Sequence, residues 1–247
     1  MKIIVHGSNG RIGREICKLV EEGYKDSSLV GGIDRKNITK EDSLFFKELE
    51  DFKGQADCII DFSNHLATNT LTAYAIERKI PLVIATTGQT SEELETIREA
   101  SKKIPIFLAA NTSIGVSLLV ELAKITAKTM PEADIEIIEK HHNRKLDSPS
   151  GTALLIADGI KEIRKEAEYI YGRSGNAKRE KEEIGIHAVR MGNIVGEHEV
   201  IVGTDSQTIT LKHEAHSKTL FAEGALTAAE FLLDKGPGLY GMKDLIE

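Results

Sequence analysis

The chain has 247 residues, long for one domain and comfortable for two. Its 32 Lys and Arg against 39 Asp and Glu leave a formal charge of -7, which argues against a coat for nucleic acid, because phosphate binding needs a basic face. The balance of 40% apolar and 29% charged residues is that of a soluble globular protein, and no apolar run approaches the roughly 18 residues of a spanning helix. The greasy stretch at the start, ending at Gly7, is too short for a secretion signal, and Cys17 and Cys58 alone make no disulfide framework or zinc site. Both cysteines read as core residues, and the expectation is a cytoplasmic protein with no membrane partner.

In chain order, Lys2–His6 reads as a strand, and residues 11–22 as a helix with Ile12, Ile16, Leu19 and Val20 at helical spacing. Ser28–Ile33 is a second strand, residues 58–62 a third, 81–85 a fourth and 104–109 a fifth. Between them fall helices over 65–78, with Leu66, Leu71, Ala75 and Ile76 inward, and over 91–103, which starts with acids in its first turn. Strands that alternate with helices imply right-handed crossovers and a parallel, doubly wound α/β sheet over about the first 110 residues. After a helix over 115–130 the pattern changes. Asp134-Ile135-Glu136-Ile137-Ile138-Glu139 alternates polar and apolar, as do 185–190, 197–203 and 207–213, with turn residues between the later ones. A second, α+β domain with a mostly antiparallel sheet is expected, with 171–183 as a mobile loop and a last helix over 218–234.

Gly7-Ser8-Asn9-Gly10-Arg11-Ile12-Gly13 lies between the first strand and the first helix. A turn free of side chains there lets backbone N–H groups meet a pyrophosphate at the positive end of the helix. Asp34 ends the second strand, placed to accept from a ribose hydroxyl, and Arg35-Lys36 follow, placed to hold a 2′-phosphate. The acid favours NAD and the cations favour NADP, so both stay open. Thr86-Thr87-Gly88 and Ala109-Ala110-Asn111-Thr112 follow the fourth and fifth strands, where doubly wound sheets place ligands.

The segment from Lys140 to Lys145 gathers Lys, His and Arg side chains just before Pro149-Ser150-Gly151-Thr152, which opens a helix with Leu154, Leu155, Ile156 and Ile160 inward. A helix start with free N–H groups facing cations is a pocket for a small carboxylate, and His and Lys there can serve as general acids. His141 and His142 on an extended chain point to opposite faces, so no shared metal is expected. Taken alone, these residues point to NAD(P)-dependent reduction of a small anionic substrate.

Glu136-Ile137-Ile138-Glu139-Lys140-His141-His142 with Lys145-x-Asp147-x-Pro149-Ser150-Gly151-Thr152-Ala153 resembles the signature of the 4-hydroxy-tetrahydrodipicolinate (dihydrodipicolinate) reductase family. The resemblance takes in the Gly7 to Gly13 loop, Thr86-Thr87-Gly88, Ala109-Ala110-Asn111, Val195-Gly196-Glu197-His198, and Ser217, Phe221-Ala222 and Gly224-Ala225. It implies reduction of 4-hydroxy-tetrahydrodipicolinate in the diaminopimelate route to lysine, with NADH or NADPH, by a homotetramer. It implies His141 as the catalytic proton donor or acceptor and Lys145 as a second proton donor, and His142, Gly151 and Thr152 as substrate-binding residues. The cofactor would lie on Gly7, Ser8, Asn9, Gly10, Arg11, Ile12, Asp34, Arg35, Ala85, Thr86, Thr87, Ala109, Ala110, Asn111 and Thr112. It also implies that 1–112 and 219–247 form the dinucleotide-binding domain, and 113–218 the substrate-binding and oligomerisation domain. The chain departs from the family pattern at Ala85, where glycine is usual, at Thr112, where an aromatic is common, and at Lys218, where arginine is usual. The rival readings are a silent NAD(P)-binding regulator and another two-domain NAD(P) dehydrogenase.

Overall fold

The computed structural model describes residues 1–35 and 44–246, so Lys36 lies outside the described residues. The chain divides into two compact units, Met1–Ile114 with Lys218–Glu247, and Gly115–Ser217.

The first unit is built on β1 (Lys2–His6), β2 (Ser28–Ile33), β3 (Phe45–Phe46), β4 (Cys58–Asp61), β5 (Leu82–Ile84) and β6 (Pro105–Leu108). Its helices are α1 (Arg11–Glu21), α2 (Thr68–Arg78) and α3 (Ser91–Ser101). After the second unit the chain returns with α6 (Thr219–Leu232), β12 (Gly238–Tyr240) and α7 (Met242–Ile246). The sheet runs β12-β6-β5-β4-β1-β2-β3, and its pairings are parallel. Both faces are covered, which is why its strands are apolar without alternation. Period-2 geometry sends Ile3 and Val5 to one face, into a cluster with Ile16 and Val20 of α1 and Ala222, Ala225, Leu226 and Leu232 of α6. Ile4 goes to the other face with Ile59, Leu82, Leu71 and Ala75 of α2, and Ile97 of α3. Cys17 and Cys58 are buried in the first cluster as free thiols, as expected. From β1 the chain turns to β2 on one side and to β4 on the other, which opens a crevice at the carboxyl ends of the central strands.

The second unit carries α4 (Ile114–Thr129, whose first residue still belongs to the first unit), β7 (Asp134–His141), α5 (Gly151–Ile163), β8 (Glu168–Tyr171), β9 (Glu183–Arg190), β10 (Gly196–Thr204) and β11 (Gln207–Ala215). The sheet order is β11-β10-β7-β9-β8. β10 is antiparallel to β11 and β7, but β7–β9 and β8–β9 are parallel, so the sheet is mixed and the strand expected over 185–190 runs parallel to its neighbours. Alternation along a strand reports one wet face and not the direction of the neighbour, and here α5 and β8 supply the crossover that makes β7 and β9 parallel. Along β7, Ile135, Ile137, Glu139 and His141 take the buried positions. Ile135 and Ile137 meet Leu119 and Ala123 of α4 and Ala153, Ile156, Ala157 and Ile160 of α5. Of residues 171–183, read from the sequence as a mobile loop, Tyr171 ends β8, Glu183 begins β9, and the stretch between is tied to the sheet. The Arg179 guanidinium donates to Glu136 at 3.3 Å and to the Ile135 carbonyl at 3.2 Å, and pairs with Asp134 at 3.0 Å. The short strands β3, β8 and β12 were not visible in the sequence pattern.

Candidate active site

At the carboxyl end of β1, Gly7 has a φ of +83°, and a Cβ there would lie 2.7 Å from the Phe62 carbonyl oxygen. A Cβ on Gly13 would overlap the Gly7 carbonyl oxygen, so α1 rests directly on the loop before it. Only glycine fits both places. Gly10 caps α1 with no side-chain hydrogen bond, which leaves the positive end of the helix open to a ligand. The loop is held from behind: the Gly7 and Ser8 N–H groups donate to the Ile33 carbonyl at 2.8 and 3.2 Å, and the Asn9 N–H donates to Asp34 Oδ2 at 3.1 Å. A cleft of about 550 Å³ opens here, lined by His6, Gly7, Gly10, Asp34, Arg35 and Ser63 among others. Beneath it Asp61, buried at the end of β4, accepts from the Ser63 hydroxyl at 2.6 Å and the Thr86 hydroxyl at 2.6 Å, and pairs with His6 Nδ1 at 2.8 Å. That one carboxylate ties the ends of β1, β4 and β5 together.

In the second unit a different buried carboxylate organises the end of β7. Glu139 is fully buried, and its Oε2 lies 2.6 Å from His141 Nδ1. Both Nη groups of Arg190, at the end of β9, donate to it at 2.7 Å, and the Ser150 N–H donates to Oε1 at 3.0 Å. Burial opposes ionisation, but the hydrogen bonds from His141, Arg190 and Ser150 outweigh it and hold the Glu139 pKa at about 2. Ser150 caps α5, its hydroxyl accepting the Ala153 N–H at 3.2 Å and meeting His198 Nε2 at 3.0 Å. His198 packs edge-to-face on His141 with ring centroids 5.2 Å apart. Desolvation, reinforced by repulsion from His141, pushes the His198 pKa down to about 3, so that ring is neutral at pH 7. Lys145 pairs with Asp147 at 2.8 Å in the loop between β7 and α5. A Cβ on Gly151 would meet nothing within 4 Å among the described residues, so the first turn of α5 is open to an approaching group. The arrangement is a histidine held by an ionised acid next to an open helix N-terminus.

Residues 1–112 match the family model described as dihydrodipicolinate reductase, N-terminus, and residues 115–246 match the one described as dihydrodipicolinate reductase, C-terminus. The chain belongs to the dihydrodipicolinate reductase family. A relative from Caldanaerobacter subterraneus subsp. tengcongensis named 4-hydroxy-tetrahydrodipicolinate reductase is 49% identical over all of this chain and 98% of its own length. One of the same name from Clostridium tetani is 46% identical over 98% of this chain and 95% of its own. A dipicolinate-bound dihydrodipicolinate reductase from a Paenisporosarcina species superposes with a TM-score of 0.85 at 25% identity, over 99% of this chain and 98% of that one. A probable dehydrogenase from Thermotoga maritima, 12% identical with a TM-score of 0.64 over 100% of this chain and 92% of that one, shares the fold. The chain is therefore an oxidoreductase with a Rossmann-like nucleotide-binding unit.

Of the residues expected to serve this reductase family, the first unit brings together Gly7, Ser8, Asn9, Gly10, Arg11, Ile12, Asp34 and Arg35 around the Gly loop. Arg11 is exposed, Ile12 packs on the core, and Arg35 pairs with Glu48 at 3.2 Å. Ala85, Thr86 and Thr87 follow β5. Ala109, Ala110, Asn111 and Thr112 follow β6. Thr112, where the family commonly has an aromatic, is buried and donates its hydroxyl to the Phe221 carbonyl at 2.8 Å. Its side chain therefore serves the docking of α6. The second unit gathers His141, His142, Lys145, Gly151 and Thr152 within the β7–α5 connection. His141 is buried, whereas the neighbouring His142 is half-buried, as strand alternation requires. The residues that sequence reasoning passed over are Asp61, Glu139, Arg190 and His198 as organisers. For Glu139 a signal existed: an acid two residues before a histidine on one strand shares its face. For Arg190 none did, because its role comes from β9 lying beside β7.

Proposed function

We propose that this chain reduces 4-hydroxy-tetrahydrodipicolinate to tetrahydrodipicolinate in the diaminopimelate route to lysine, with either NADH or NADPH. The observation that carries the reading is the buried, ionised Glu139 holding His141 beside the open first turn of α5. The first unit fits a dinucleotide: Gly7 and Gly13 let the turn and α1 pack tightly at the end of β1, Gly7 and Gly10 line the cleft without side chains, and the buried Ser8 hydroxyl has no hydrogen-bond partner among the described residues. Gly7, Ser8, Asn9, Gly10, Arg11 and Ile12 would hold the pyrophosphate, Asp34 and Arg35 the adenosine ribose, and the loops after β5 and β6 the nicotinamide half. When bound, the reduced nicotinamide supplies hydride. Asp34 supports use of the unphosphorylated ribose and Arg35 supports the 2′-phosphate, so both nucleotides are accepted.

Gly151 and Thr152 hold a substrate carboxylate with the backbone N–H groups of the helix start, and His142 adds a polar contact. His141 or Lys145 stabilises the negative charge that develops across the conjugated ring and returns a proton to it. Among the described residues no helix is long and apolar enough to cross a membrane. In this reading the chain is a cytoplasmic homotetramer that acts on a small dicarboxylate and has no nucleic-acid partner. The test is oxidation of NADH and of NADPH with substrate made in situ from pyruvate and aspartate semialdehyde. Turnover with both, blocked by pyridine-2,6-dicarboxylate, is expected. Tight nucleotide binding with no turnover would leave only a silent nucleotide-binding protein.

A further inference from the structure

Strand periodicity delivers Glu139 to the Nδ1 edge of His141, and everything packed around that pair acts on its orientation. Arg190 occupies both carboxylate oxygens from β9 and also donates to the Asp147 carbonyl at 2.7 Å. The Ser150 N–H holds Oε1 from the start of α5. On the far side of the ring, β10 presents His198 edge-on, and its Gly196 passes so close that a Cβ there would lie 3.1 Å from Nε2. Nδ1 is thus committed to a buried carboxylate, while Nε2 lies against a backbone that carries no side chain.

We infer that Glu139 is a positioning residue for His141: it accepts the Nδ1–H, so that Nε2 is the nitrogen that exchanges a proton with the substrate, and Arg190 keeps the carboxylate in its accepting form. The inference rests on the proposed role of His141 as an acid. In the proton-donating step the Nε2–H bond breaks as the new bond forms on the electron-rich substrate ring. The Nδ1 proton stays between His141 and Glu139 throughout. Because Glu139 also holds the Ser150 N–H, the acid and the carboxylate cradle at Gly151 and Thr152 are fixed to one anchor, and loss of the anchor moves both. An ionised carboxylate with a bidentate arginine is the strong form of this contact, since charge-assisted hydrogen bonds hold geometry better than neutral ones. His198 stays neutral and adds shape without competing charge.

The experiment combines ¹H–¹⁵N long-range correlation spectra of the histidine rings with steady-state kinetics, in the wild-type chain, Glu139→Gln and His141→Gln, the last also serving to assign the ring signals. The expected wild-type tautomer of His141 when neutral is Nδ1–H. In Glu139→Gln a mixture of tautomers is expected, with kcat lower by about 100-fold, because a misplaced general acid forfeits about 10²–10⁴ in rate. The KM for nucleotide should stay within about three-fold, since a kcat-selective loss is the mark of an interaction made in the transition state. An Nε2–H tautomer in the wild type, or a parental kcat in Glu139→Gln while His141→Gln is inactive, would overturn the positioning role alone. Parental turnover in His141→Gln would overturn the acid assignment itself. The wild-type tautomer needs no substitution, so the test stands even if the Glu139→Gln chain does not fold.

Discussion

Among the acid-titrating groups of the second unit, His198 and Glu139 are shifted most, with His213, Glu132, Asp147, Glu183 and Glu197 shifted in the same direction. His198 titrates near 6.5 when unfolded but about 3 in the fold, so between those values the unfolded chain binds more protons and stability falls as pH falls. Glu139 acts in the same direction lower down: its contribution is complete above about 4.5 and is lost as pH drops toward 2. The unfolding midpoint should therefore decline from about pH 6.5 downward and steepen below about pH 4.5. His198→Gln should flatten the upper part of that decline, and a melting curve with the parental pH slope would remove His198 from the account. At the same scale, His141→Gln should lower turnover by about 100-fold with nucleotide affinity unchanged, measured by initial rates and by nucleotide titration. Lys145→Met in parallel separates the two candidate acids: the proton donor is the one whose loss costs kcat rather than substrate KM. Both residues were legible in the sequence as types at a spacing. Their environments were not, because Arg190 and His198 reach His141 only through strands paired from distant parts of the chain.

Elements matter here mainly through their ends. α5 begins at the site because Ser150 caps it, and α1 begins at the nucleotide cleft because Gly10 leaves its end uncapped. Ser150→Ala removes the cap and the His198 contact together, and should cost about 1–2 kcal/mol and lower the melting temperature by a few degrees, read by calorimetry. An unchanged midpoint would mean the cap contributes nothing. Helix and strand periods and the glycine turn identified most elements to within a residue or two. The misses share a cause, shortness: β3, β8 and β12 are two to four residues long and are defined by the strand each one meets, and α7, which follows the helix expected to be the last, has five residues. The direction of β9 beside β7 belongs to the same class, since a pleated, half-wet strand has the same pattern in either orientation.

At the scale of the whole molecule, the chain leaves the first unit at Ile114 and comes back at Lys218. The returning α6 covers one face of the parallel sheet, burying Ala222, Ala225, Leu226, Ala229 and Leu232 against Ile3, Val5 and Ile60. Gly224 lets it approach so closely that a Cβ would overlap the Thr112 carbonyl oxygen. Truncation after Ser217 should therefore bare an apolar sheet face and abolish both solubility and nucleotide binding, although the Gly loop itself is retained. A soluble truncated chain with parental affinity for NADH would show that α6 is dispensable. Sedimentation of the full chain tests the proposed homotetramer directly.

What the sequence by itself determined is what depends on neighbours along the chain. Those features are the alternation of strands and helices, the turn that only glycine can make at Gly7, and the run from His141 to Thr152 that places acid groups ahead of a helix start. Only the tertiary structure decided the rest: the mixed pairing of the second sheet, the face of the first sheet that α6 covers, and the buried carboxylates of Asp61 and Glu139 as anchors. The physical reason is common to all of these. A hydrogen bond or a packed face forms between groups that folding brings together, and local periodicity reports which side of an element is buried but not against what.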